Sequence, residues 1–162
     1  MPESVREKYQ QYIIRMPTPI EDPLDFINAT IQGVSIPTPT YDPVSQPRGV
    51  DPIYHRASTN VLNFFGDKKL TIKFQLAEAY INYFMLYDLL LYHYNFTNEK
   101  MFIDPFKIFM VDFEGNLIIS YTLSQVLFIG LSDLALDYSD NSPDFKQFDA
   151  SFSFNIVDIE VL

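Results

Sequence analysis

The chain has 162 residues, no cysteine and a net charge of −10, which fits one domain with a modest core and excludes disulfide or thiolate-metal scaffolding. With 48% hydrophobic and 20% charged residues it is not a disordered polymer. Its aromatics, 15 Phe and 11 Tyr with no Trp, favour pleated, half-buried surfaces. From Ile108 onward there are nine acids against one base, Lys146, while the first 107 residues are nearly balanced. Such an acidic surface repels phosphate and argues against a basic reader of nucleic acid, although not against a surface past which DNA slides.

In chain order, Met1 to Arg15 lacks the apolar run of a secretory leader, so secretion is not expected. Tyr9 to Met16 reads as a first strand ended by Pro17 and Pro19. Leu24 to Ile36 reads as a second, with Ile27, Ala29 and Ile31 on one parity and Asn28, Thr30 and Gln32 on the other. Positions 38–59 hold Pro39, Pro43, Pro47 and Pro52. That is too much proline for a central strand, so the segment is expected to be an extended loop or arm, either ordered by a partner or loose on the surface.

After a turn at Gly66-Asp67, Leu70, Ile72, Phe74 and Leu76 alternate with Thr71, Lys73 and Gln75 as an amphipathic strand. Leu76 to Tyr94 then reads as the one substantial helix. Its polar members Glu78, Asn82, Asp88 and His93 fall within an arc of about 140° at 100° per residue, the face expected to meet water. Two acids within it make a membrane span improbable. The wide apolar remainder either packs wholly within the chain or meets a second subunit.

The last third reads as strands: Lys107 to Phe113, a turn at Glu114-Gly115-Asn116, Leu117 to Leu123, then Val126 to Gly130 and Asp133 to Tyr138. Asn141-Ser142-Pro143-Asp144 is a turn cluster. Phe148, Ala150, Phe152, Phe154 and Ile156 then face one way, and the parity flips at Val157, as a bulge or a crossing to another sheet would require.

No catalytic or ligand motif stands out. His55 and His93 lack metal-ligand spacing, and there is no phosphate loop, nucleophile elbow or dinucleotide fingerprint. Asp133, Asp137 and Asp140 lack the glycine and terminal glutamate of a calcium loop, and as acids they read as a solvated rim. Neither catalytic residues, a cofactor nor a metal is expected.

Four stretches carry a resemblance when taken in order: Asn28-Ala29-Thr30-Ile31-Gln32-Gly33-Val34-Ser35-Ile36-Pro37, the turn and strand Gly66 to Phe74, the helix after it, and Gly130-Leu131 through Asp137-Tyr138-Ser139 to Phe148-x-x-x-Phe152-x-Phe154. This arrangement resembles the tail tube protein family of contractile-tailed phages, with its baseplate tube-initiator relatives. The chain departs from the pattern in ending with Phe154-Asn155-Ile156 and a further Val157 to Leu162 tail, and both a bulk tube subunit and a terminal ring fit.

The resemblance implies a mainly β (α+β) fold over 1–162, an antiparallel β-sandwich or partial barrel with one flanking helix. It also implies a structural role in the virion tail: homo-hexameric rings that stack, contact sheath and baseplate or neck proteins, and let viral DNA pass without specific binding. If polar strand faces line the lumen, Asp112, Glu114, Asp149 and Asp158 are candidates for an acidic lining, with a solvated outer face as the other reading. Pro39, Tyr41, Pro43, Arg48, Tyr54 and Arg56 are candidates for an inter-subunit loop. A monomeric small-ligand β-barrel and an enzyme built on a carboxylate pair such as Asp133 with Asp137 are the readings from other classes.

Overall fold

A computed structural model of the chain describes residues 1–16, 20–37, 68–95, 102–134 and 146–162, together with the backbone of 44–48 and 53–57. The expected turns at Gly66-Asp67 and Asn141 to Asp144, and most of the expected strand Asp133 to Tyr138, lie outside the described residues.

The described elements are α1 (Glu3–Ile13), α2 (Pro23–Ala29), β1 (Ile31–Ser35), β2 (Val44–Arg48), β3 (Ile53–Ala57), β4 (Lys69–Gln75), α3 (Ile81–Tyr94), β5 (Phe106–Val111), β6 (Leu117–Ser124), β7 (Leu127–Leu131), β8 (Gln147–Ser153) and β9 (Ile156–Val161). All described pairing is antiparallel: a four-stranded sheet in the order β1-β4-β8-β7, a three-stranded sheet β5-β6-β9 and a ribbon β2-β3. The mainly β class is therefore realised.

The core lies between the two larger sheets. Leu70, Ile72 and Phe74 of β4 and Phe148, Ala150 and Phe152 of β8 are buried on one face, as their period-2 spacing dictates. Phe74 stacks on its cross-strand partner Phe148 at 5.3 Å between ring centroids. Phe152 stacks on Phe128 of β7 at 4.6 Å and meets Phe106 of β5 edge-on at 5.0 Å, which joins the sheets across the interior.

The parity flip near the C-terminus is a crossing. Buried Phe154 donates its N–H to Lys68 O, Asn155 N donates to Ser124 O, and the chain passes from the four-stranded sheet into β9 of the other. Ile156 is exposed rather than in line with Phe154, because the face changes one residue earlier than the alternation implied.

Two of the expected strands need correction. The strand expected at Tyr9 to Met16 is the end of α1, whose Val5, Tyr9 and Ile13 stand four apart and are all buried, a helical stripe that outweighs the β-leaning local composition. The strand expected from Leu24 begins only at Ile31. Asp22 caps α2 by accepting Leu24 N at 3.0 Å, Pro23 occupies the first turn, and Phe26 and Ile27 are buried at helical spacing. The long loop at 38–59 contains the paired strands β2 and β3, with Pro47 opposite Tyr54. A two-stranded ribbon has a free edge on each strand, where a missing N–H disrupts no ladder.

The expected helix starts late: a 3-10 turn at Glu78–Tyr80 with Ala79 and Tyr80 at positive φ precedes α3. Its proposed wet face is also wrong, because Asn82 is 0% exposed. Asn82 Oδ1 accepts from Ala77 N and Tyr83 N, while Nδ2 donates to Gln75 O at 2.7 Å and to Thr30 Oγ1 at 3.1 Å. One amide thus ties the start of α3 to the end of β4 and to the α2–β1 junction.

On the next turns of α3, Asp88 Oδ2 accepts from Lys8 Nζ and Tyr9 Oη and fastens α1 to α3. Burial alone would raise the Asp88 pKa, but the two hydrogen bonds and the Lys8 charge prevail and hold it below the ordinary carboxylate value. The Tyr9 phenol is pushed up, first by burial and then by its bond to Asp88.

Replacing Asn82→Leu leaves Ala77 N, Tyr83 N and Gln75 O without this partner inside the protein and is expected to cost about 3 kcal/mol, read as a drop of roughly 10 °C in the calorimetric Tm. The depressed Asp88 pKa means that its contribution is complete above the ordinary carboxylate range and is lost as pH falls through the folded value. The urea-midpoint difference between the parent and Asp88→Asn should accordingly be larger at pH 7 than at pH 3.

Candidate functional site

Among the described residues no three His, Asp or Glu gather as for a metal ion, while several apolar surfaces are exposed. Among the described residues, β1 and β7 each have one neighbouring strand, as do β5 and β9, so each sheet has two edge strands. Open edges invite pairing with another chain unless they are blocked. These carry exposed apolar residues instead: Val34 on β1, Ile129 on β7, Phe109 on β5, and Ile159 and Val161 on β9.

The β5–β6 hairpin runs out beyond the packed core. Near its base Tyr121 and Leu123 are buried, but Met110, Val111, Leu117 and Ile118 are exposed further along, and Phe113 at the tip is 97% exposed. The tip itself is well built. Asp112 Oδ1 accepts from Glu114 N at 2.9 Å and Asn116 N at 2.8 Å, Oδ2 accepts from Asn116 Nδ2, and Gly115 supplies the φ of +87° that the turn demands. Those bonds, led by the one from the Asn116 side chain, lower the Asp112 pKa.

Helix α3 leaves a second apolar strip. Phe84, Tyr87, Leu91 and Tyr94 recur at spacings of three and four and are exposed, while Met85, Leu86 and Leu89 on the opposite side enter the core. The face that meets water is therefore largely aromatic rather than the polar arc read from the sequence.

The third feature is concave. A cleft of about 660 Å³ is lined by residues of β1, β4, β5, α2 and α3. Ile31, Val34 and Phe74 form one wall, Phe106 and Ile108 another, and Leu86 and Leu89 of α3 its end.

The expected site residues are scattered. Asp149 lies on the outer face of the four-stranded sheet, opposite Lys73 in register, and its Oδ1 is shielded from solvent without a hydrogen-bond partner. That face is hydrophilic along both central strands, with Lys69, Thr71, Lys73 and Gln75 on β4 and Gln147, Ser151 and Ser153 on β8. Asp158 sits on the outer face of the three-stranded sheet, level with Thr122 and Lys107. Asp112 and Glu114 belong to the hairpin tip. The four carboxylates do not form one surface.

Of the arm residues, Arg48 pairs with Ile53, Tyr54 with Pro47 and Arg56 with Ser45 in the β2–β3 ribbon, whereas Pro39, Tyr41 and Pro43 lie outside the described residues. Asp137 and Asp140 lie outside them too. Among the described residues no group of three or more His, Asp or Glu is placed to hold a metal ion, and no helix is long and apolar enough to cross a membrane.

This architecture is found in solved structures. A chain of the sheath-tube complex of an extracellular contractile injection system, PVC, in the extended state aligns over 100% of this chain and 99% of its own, with a TM-score of 0.59 and 13% identity. The fold is of the tail-tube type. The tube-terminating cap of the anti-feeding prophage aligns over 82% of this chain and 80% of its own at TM-score 0.58 and 10% identity, and the PVC sheath/tube terminator over 80% and 84% at 0.55 and 15%. No family model and no curated protein matches the sequence.

The Asp112 carboxylate holds the hairpin tip. Removing it with Asp112→Ala should speed amide exchange at Glu114 and Asn116 by at least tenfold in NMR while leaving the core amides of β4 and β8 unchanged, since the tip makes no contribution to the core.

Proposed function

We propose that this chain is a structural, non-catalytic ring subunit of a phage-tail-like contractile particle. It builds either the tube or the ring that terminates it. The observation that carries the reading is the pair of edge strands that each sheet has among the described residues, coupled to exposed apolar side chains at each edge, within a fold shared with tube and cap components. A closed ring of copies gives every edge a partner, which a monomer cannot do.

In this reading six copies join their sheets around a bore, and rings stack through the β2–β3 arm and the loops. The hydrophilic outer face of the four-stranded sheet is the one suited to a water-filled lumen. Of the four candidate carboxylates only Asp149 belongs to that face, opposite Lys73, and Lys69 lies four residues further along β4, so the lining is of mixed charge with hydroxyl and amide groups. Viral DNA, or another payload, passes over such a surface without specific binding. Sheath and baseplate or neck proteins meet the outside of the assembly, where the aromatic strip of α3 is available.

A terminal ring is the second reading, favoured by the likeness to the anti-feeding prophage cap and the PVC terminator. Sedimentation and negative-stain microscopy of the purified chain decide between the outcomes. Closed rings are expected in either case, with long tubes marking the bulk subunit and single rings the terminal one. A monodisperse monomer at high micromolar concentration would sink the proposal.

A further inference from the structure

The overhanging hairpin and the open cleft are both apolar, and they are opposite in shape. One is a convex end tipped by Phe113 and flanked by Leu117 and Ile118; the other is a concave slot walled by Val34, Phe74, Leu86 and Phe106. We infer that the Phe113 tip of one copy seats in the β1–β5 cleft of another copy of this chain.

The two halves cannot meet within one molecule. Ile108 lines the cleft, and Phe113 lies five residues further along the hairpin, which places it about 17 Å away at the rise of an extended strand. Strand β5 is held against β6 through Phe106↔Leu123 to Met110↔Ile119, so it cannot turn back on itself. The tip therefore points away from its own cleft and toward whatever adjoins the molecule.

Size agrees with the match. A cavity of about 660 Å³ lies within the ~300–1,000 Å³ range of sites that enclose drug-sized ligands, room enough for a phenylalanine ring with an aliphatic neighbour.

The turn is also pre-organised. Three hydrogen bonds to the Asp112 carboxylate hold the loop before any partner arrives, which reduces the ordering cost of docking. A large aromatic on a rigid support entering an apolar pocket is the anatomy of an interface hot spot.

Because knob and slot are different surfaces, the contact is heterologous. Each copy offers one of each, and the association continues from copy to copy until a ring closes or a stack ends. The inference rests on the ring reading only in requiring that copies associate; it adds which surfaces do so.

The absence of native cysteine makes the test free of background. Two single variants, Phe113→Cys and Val34→Cys, are purified, mixed and oxidised. The mixture is expected to yield a disulfide-linked dimer containing one of each, with neither variant forming dimers alone. The double variant should yield a covalent ladder.

A Phe113→Cys homodimer as the sole product, or no cross-link in assemblies that microscopy shows to be intact, overturns the inference while leaving the ring reading in place. A chain that stays monomeric overturns both. As a second measurement, Phe113→Ser should raise the concentration for half-assembly at least tenfold with an unchanged far-UV spectrum and Tm. Unaltered assembly by this variant also counts against the inference.

Discussion

The structure depends on the antiparallel register between β4 and β8. Seven consecutive pairs, from Lys69↔Ser153 to Gln75↔Gln147, put Leu70, Ile72, Phe74, Phe148, Ala150 and Phe152 on one side. A slip of one residue would send the three on the slipping strand to the solvent face. The second sheet hangs on the same pair, because Phe152 meets Phe106 across the interior and the chain leaving β8 becomes β9. One strand thus supplies the centre of one sheet and leads directly into the edge of the other.

The helical layer is attached to this pair through a polar rather than an apolar joint. Asn82 bonds Gln75 O at the end of β4 and Thr30 at the start of β1, and so fixes where α3 begins and how it is rotated. Tyr83 then packs edge-on against Phe148 at 5.2 Å and donates to Ser132 O. With that rotation set, Phe84, Tyr87, Leu91 and Tyr94 have no place in the core. The aromatic strip on the outside follows from the amide on the inside.

Surfaces left over by these constraints carry the functional reading. A soluble monomer ordinarily keeps large contiguous apolar patches and long open edges to a minimum. Here, among the described residues, the edge strands, the hairpin end and the helix strip all carry exposed apolar side chains beside a well-buried core. These exposed surfaces are what the ring proposal builds on.

What the sequence determined by itself was every element whose periodicity is read along a single chain: β4, the β5–β6 hairpin with its Gly115 turn, β7, β8 and the crossing into β9. The buried alternation from Phe148 to Phe154 left little latitude, because period 2 has no helical equivalent. Tertiary structure decided the rest. Tyr9 to Ile13 and Leu24 to Ala29 are helical because Val5, Tyr9, Ile13, Phe26 and Ile27 find a common core, a benefit invisible within short windows, although Asp22-Pro23 was a legible cap. The burial of Asn82 was not legible at all, since a lone polar residue on a helix reads as wet until three backbone partners and a threonine are brought to it from elsewhere in the chain. Likewise Asp112, Glu114, Asp149 and Asp158 share a charge in one dimension, but the crossing of the chain between sheets places them on three separate surfaces.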